Sequence, residues 1–233
     1  ATAWQRAAAD KARYGIVAAN CSMSGNPDPR GADQQALDAA ALNADILPVV
    51  AAGNTVNTYT SQAAVNGLAV GAVAATTKAV ASFSSRGPIY GDSGRFYPDI
   101  AACGVDTVMP VINKENAYTR GSGTSMASPM VAGAATLFRS IRTTATALET
   151  KAALLAATED IAARNPGLDR NAYGLGFLRD DQVCAIARGT GTLLTSSVDA
   201  SGPRRLQLAV RAGKEYRAVI AWNRHNTGSL NWS

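Results

Sequence analysis

The chain has 233 residues, 47% of them hydrophobic and 17% charged. That suffices for one ordinary domain with a sizeable core plus part of a second, and it is too apolar for a disordered chain. The net charge is +5, but the basic residues are scattered, with only short pairs such as Arg204-Arg205, so they describe a solvated surface and not a nucleic-acid footprint; no apolar run reaches the roughly 18 residues of a membrane span.

Residues 1–13 carry Trp4, Ala7, Ala8 and Lys11 at helical spacing, with Gly15 as the stop. Residues 16–21 form a short apolar run that ends in the turn Ser22-Met23-Ser24-Gly25. Residues 33–43 read as a helix with Ala36, Leu37, Ala40 and Ala41 on one face. A second apolar run, 46–52, is closed by Gly53-Asn54. Residues 65–75 and 100–102 supply two more. Nearly continuous apolar strands alternating with helices argue for a parallel sheet covered on both faces.

A glycine-rich turn, 121–125, then leads into residues 126–138, which are apolar almost all round and predict a buried helix. Residues 147–157 predict an amphipathic helix, 174–178 close the domain and 181–187 add a last helix. From Gly189 the pattern becomes period two: residues 206–210 and 216–222 alternate around a turn at Gly213-Lys214. This places a boundary near Arg188. Residues 189–233 read as the start of a β-sandwich, too short to complete one. Cys21, Cys103 and Cys184 lie far apart without a CxxC or Cys/His cluster, so they predict small buried residues and no zinc site. One disulfide is compatible with an oxidising compartment, and sequence does not select the pair.

Ser125 opens the buried helix, where N–H groups lack partners and the helix dipole is positive. Such a position favours an oxyanion forming beside it. Gly121 and Gly123 allow the sharp turn. By position alone, Ser125 reads as an N-cap and Asn54 as a turn asparagine after glycine.

The wider segments decide between these readings. Gly123-Thr124-Ser125-Met126-Ala127-Ser128-Pro129-Met130-Val131-Ala132-Gly133 closely resembles the nucleophile motif of subtilisin-like serine proteases. Further blocks resemble the same family in the same order. They are Asn20-Cys21-Ser22-Met23-Ser24-Gly25, Val49-Val50-Ala51-Ala52-Gly53-Asn54, residues 69–73, residues 81–88, residues 98–104 (with Cys103 where proline is usual) and residues 173–176. The resemblance spans roughly residues 1–188. It implies an α/β fold, a three-layer sandwich with a mostly parallel sheet. The β-rich, jelly-roll-like start of a C-terminal domain at 189–233 follows.

The resemblance also implies roles. Ser125 becomes the nucleophile that forms an acyl-enzyme, and the Asn54 carboxamide with the Ser125 N–H becomes the oxyanion hole. Ser22, Met23 and Ser24 would offer an extended backbone to a polypeptide substrate, although the family often has glycine where Ser24 stands. Ala51, Ala52 and Gly53 would line the pocket for an uncharged side chain, with Thr124 beside them. The chemistry requires no cofactor. A structural calcium ion accompanies the family often, but the sequence locates no ligand cluster for one; Asp99 and nearby carbonyls are a weak cation site at most. Secretion is implied by the family alone.

A serine hydroxyl needs a base, and the base an orienting acid. In this family both precede the serine, yet the single histidine is His225, a hundred residues after Ser125. His225 would suit the Ser…Asp…His order of α/β-hydrolases, but Gly123-Thr124-Ser125-Met126-Ala127 lacks the second glycine of that motif. Residues 1–13 read as a helix already in progress and 231–233 carry no stop signal. The expectation is a fragment whose Asp and His lie upstream, completed by the missing N-terminal part. The alternative is a non-catalytic binding or structural relative.

Overall fold

A computed structural model describes residues 2–23, 25, 28, 31–56, 65–89, 95–195, 205 and 207–224. The chain begins with α1 (Ala3–Tyr14), closed at its start by a reciprocal Thr2/Gln5 capping box and at its end by Gly15 at φ 64°. Then come β1 (Ala18–Cys21), α2 (Ala32–Ala44), β2 (Leu47–Ala51), β3 (Leu68–Val73) and β4 (Ile100–Cys103). A two-stranded hairpin follows, β5 (Thr107–Pro110) with β6 (Tyr118–Gly121), then α3 (Thr124–Ile141) and α4 (Ala147–Ala156). The last elements are β7 (Thr158–Glu159), α5 (Arg170–Tyr173), β8 (Phe177–Leu178) and α6 (Asp180–Ala185).

The main sheet has the order β1-β2-β3-β4-β8-β7, parallel throughout except for β7 on β8. Strand parity builds the layers, since successive side chains point to opposite faces. Leu47, Val49, Leu68, Val70, Ala72, Ile100 and Ala102 share the principal core with Ala127, Val131, Ala135 and Phe138 of α3 and Leu154 of α4. The intervening Val50, Ala52 and Ala69 pack against Trp4 of α1 and Leu37 of α2. Val73 and Ala101 face Ala172 and Tyr173 of α5. The result is the expected three-layer α/β sandwich.

Three expectations change. The α3 helix is not buried all round: Pro129, Met130, Gly133, Thr136, Leu137, Ser140 and Ile141 are exposed along one stripe. The opposite side packs on the sheet, and among the described residues nothing covers the stripe. Second, Cys21, Cys103 and Cys184 are half-buried rather than buried. Third, residues 207–224 form no strand among the described residues, although a period-two burial pattern survives along 218–223. Tyr216, Ile220 and Trp222 face solvent while Val219 packs against the principal core. Alternation fixes which side chains face inward, whereas a strand needs a hydrogen-bonded neighbour. This segment is instead held at two points. The Asn66 carboxamide pairs with both the N–H and the C=O of Arg224 (2.7 and 2.8 Å), and the Arg217 guanidinium donates to the carbonyl and hydroxyl of Thr158.

Candidate active site

The carboxyl ends of β1 and β2 and the start of α3 converge at one edge of the sheet, where open α/β sheets gather their functional groups. Thr124 is the centre of this convergence. It is fully buried, and its hydroxyl accepts the Gly53 N–H at 3.0 Å while donating to Asn54 Oδ1 at 3.0 Å. The Thr124 backbone N–H donates to the same Oδ1 at 2.9 Å. Thr124 therefore joins the loop after β2 to the first turn of α3. Expected beside the substrate pocket, its side chain is instead committed inside the protein.

Two consequences follow for Asn54. Its carboxamide oxygen satisfies one of the orphan N–H groups of α3, whose Gly123 N-cap supplies no side chain. A carboxamide with its oxygen engaged presents its NH2 end to the surroundings. That nitrogen lies 3.4 Å from where a Cβ on Gly123 would stand, and Asn54 itself is exposed.

Ser125 is partly exposed. Its hydroxyl donates to the Ser22 carbonyl at 3.1 Å, and the Ser22 hydroxyl donates to the Ser125 carbonyl at 3.1 Å. The end of β1 and the first turn of α3 thus hold each other reciprocally. Met23 projects outward at 73% exposure. Ala51, Ala52 and Gly53 are buried, Gly53 with φ 108°, a conformation that favours glycine. Ser24 and His225 lie outside the described residues. Ser22, Asn54, Thr124 and Ser125 are brought together, from segments up to 103 residues apart.

Gly104 was missed as a site residue. Its N–H donates to Val73 O, and its carbonyl accepts the Gly123 N–H at 2.8 Å. A Cβ there would stand 2.6 Å from Ala72 Cβ and 2.7 Å from the Gly123 carbonyl oxygen, so only glycine lets the turn before α3 lie against the sheet. A glycine directly after an apolar strand was the available signal.

Asp99 is no cation site. Its carboxylate is buried, accepts the Ala69 N–H at 2.7 Å and pairs with Arg95 at 3.2 Å. Among the described residues, no three His, Cys, Asp or Glu side chains gather as metal ligands, and no helix is long and apolar enough to cross a membrane.

The Subtilase family model matches residues 1–176. The subtilisin-like protease PopC of Myxococcus xanthus is 38% identical over 143 residues, covering 59% of this chain and 29% of PopC. The minor extracellular protease Vpr of Bacillus subtilis is 41% identical over 80 residues, covering 33% of this chain and 10% of Vpr. The chain thus spans less than a third of the length of these curated relatives. Among solved structures, the prenylagaramide maturation protease PagA superposes with a TM-score of 0.62 at 25% identity, covering 78% of this chain and 65% of PagA. With the family model matched from the first helix to Gly176, the chain belongs to the subtilase family of proteases.

Proposed function

We propose that this chain carries the nucleophile, the oxyanion donors and one wall of the substrate cleft of a serine endopeptidase. Ser125 attacks the scissile carbonyl. The Asn54 NH2 and the Ser125 N–H stabilise the resulting oxyanion at the positive end of α3. Collapse of the tetrahedral adduct expels the amine and leaves an acyl-enzyme, which water then hydrolyses. Ser22, Met23 and Ser24 offer backbone to an extended peptide, and Ala51, Ala52 and Gly53 bound the pocket for an uncharged side chain. The observation that supports this reading is the Thr124 junction, in which the Asn54 carboxamide oxygen accepts from the N–H and hydroxyl of the residue that precedes Ser125.

The base and its orienting acid come, on this reading, from a segment outside the 233 residues. The exposed stripe of α3 runs from Pro129 onward, directly after Ser125, and β1 is an edge strand with a partner on one side. On this reading the segment with the base and acid packs against these two surfaces, which are uncovered among the described residues. Residues 189–233 begin, on this reading, a further C-terminal unit after the stretch that the family model matches. Secretion fits the extracellular relative Vpr.

In the full-length protein, Ser125→Ala abolishes peptide hydrolysis and covalent labelling by a fluorophosphonate probe. Labelling that persists in this variant refutes the assignment. A single histidine far from the motif favours one rival, a non-catalytic binding relative. That rival predicts no labelling of the unsubstituted full-length protein.

A further inference from the structure

The α3 helix contains a proline, Pro129, in its second turn. Proline has no N–H, and its ring crowds the carbonyl four residues earlier. That carbonyl belongs to Ser125. The nucleophile's own residue therefore lacks the i→i+4 donor that would normally fix its peptide group in the helix.

The Ser22 hydroxyl occupies that place, donating to the Ser125 carbonyl at 3.1 Å. It also lies 3.0 Å from the Ser128 hydroxyl and 3.0 Å from the Asn20 side-chain nitrogen. A hydroxyl has one proton and two acceptor sites. The Asn20 NH2 can only donate and the Ser125 carbonyl can only accept. Ser22 must then give its proton to Ser125, and Ser128, which is fully buried, must give its own to Ser22. All three capacities of the Ser22 oxygen are used, and the direction of each bond is fixed. The Ser22 carbonyl meanwhile accepts the Ser125 hydroxyl.

We infer that the Ser22 side chain is a positioning residue: its hydroxyl replaces the N–H that Pro129 withholds and fixes the Ser125 backbone from the sheet instead of from its own helix. A peptide group held by β1 keeps the serine in register with the Asn54 amide, which is likewise anchored to a strand end. The catalytic consequence rests on the function proposed above; the hydrogen-bond substitution does not.

The test is a cycle in the full-length protein, with Ser22→Ala made in the parent and in a Pro129→Ala background. Alanine at 129 restores a helical N–H to the Ser125 carbonyl. In the parent, Ser22→Ala lowers kcat on a peptide substrate about tenfold, on the order of one hydrogen bond, with KM within about twofold. In the Pro129→Ala background the loss falls below about threefold, and the drop in unfolding midpoint shrinks in parallel. A loss of equal size in both backgrounds, or one confined to KM, overturns the inference. If Ser22→Ala fails to fold, folding recovered by Pro129→Ala supports the substitution, and failure in both backgrounds overturns it. If the parent takes no probe and cleaves no peptide, the proposed function fails, and additive midpoints would still overturn the hydrogen-bond substitution on their own.

Discussion

Replacing Thr124 with valine probes the junction on which the site depends, because it keeps the shape and removes one oxygen. That oxygen accepts the buried Gly53 N–H and donates to Asn54 Oδ1, each at 3.0 Å. Stranding a buried donor costs about 1–3 kcal/mol, and losing one of the two donors to Asn54 about 0.5–1.5 kcal/mol more. Together these give roughly 2–4 kcal/mol, which for a chain of this size lowers Tm by about 4–16 °C. Thr124→Ser keeps both bonds and loses one methyl group, about 1 kcal/mol. Thermal unfolding followed by circular dichroism, with urea titration as a second measure, ranks the three proteins. If valine proves as stable as threonine, or serine proves worse than valine, the junction is held by packing and the hydrogen bonds are incidental.

Gly104→Ala places a methyl group 2.6 Å from Ala72 Cβ and 2.7 Å from the Gly123 carbonyl oxygen. It lowers stability by about 1–3 kcal/mol and slows fluorophosphonate labelling. Burial pushes the Asp38 carboxyl up from 3.8 to about 6, against the opposing pull of the Asn66 N–H, Arg95, Lys151 and Arg224. Between those values the unfolded chain has released a proton that the folded chain retains, so stability falls by roughly 3 kcal/mol as pH rises across that window. Asp38→Asn removes this slope in urea midpoints measured at pH 4, 5, 6 and 7, and an unchanged slope refutes the assignment. Burial also lowers the Lys151 ammonium from 10.5 to about 8. Between those values the folded chain has lost a proton that the unfolded chain keeps, so stability rises with pH there, and Lys151→Met abolishes that rise.

The sheet and its helices were legible because their side chains decide them. Continuous apolar runs such as 46–52 and 100–102 can lie only between two layers, and the structure places β2 and β4 there. The helix expected from residue 126 begins instead at Thr124. Its first N–H is satisfied by Asn54, 70 residues earlier, a capping partner that no local pattern reveals. The β5–β6 hairpin escaped notice because its residues are mostly exposed or half-exposed, which erases the hydrophobic contrast that marks a strand. The tail shows the opposite failure: alternation holds only along 218–223, and pairing partners are not encoded in a segment's own periodicity. In the site, residue types and order were readable, whereas the reciprocal bonds between Ser22 and Ser125 require the two segments to be seen face to face.

Asparagine 54 has two unlike ends, and the protein grips only one. Rotating the amide by half a turn would set its NH2 against the Thr124 N–H, a donor that cannot reverse, so the resting orientation is favoured before any ligand arrives. An aspartate in its place would be gripped just as firmly by the same two donors, and its second oxygen would then point a negative charge where the nitrogen had offered protons. Thr124 thus fixes which atom points outward, and the choice of a carboxamide over a carboxylate decides whether that atom offers protons or a negative charge.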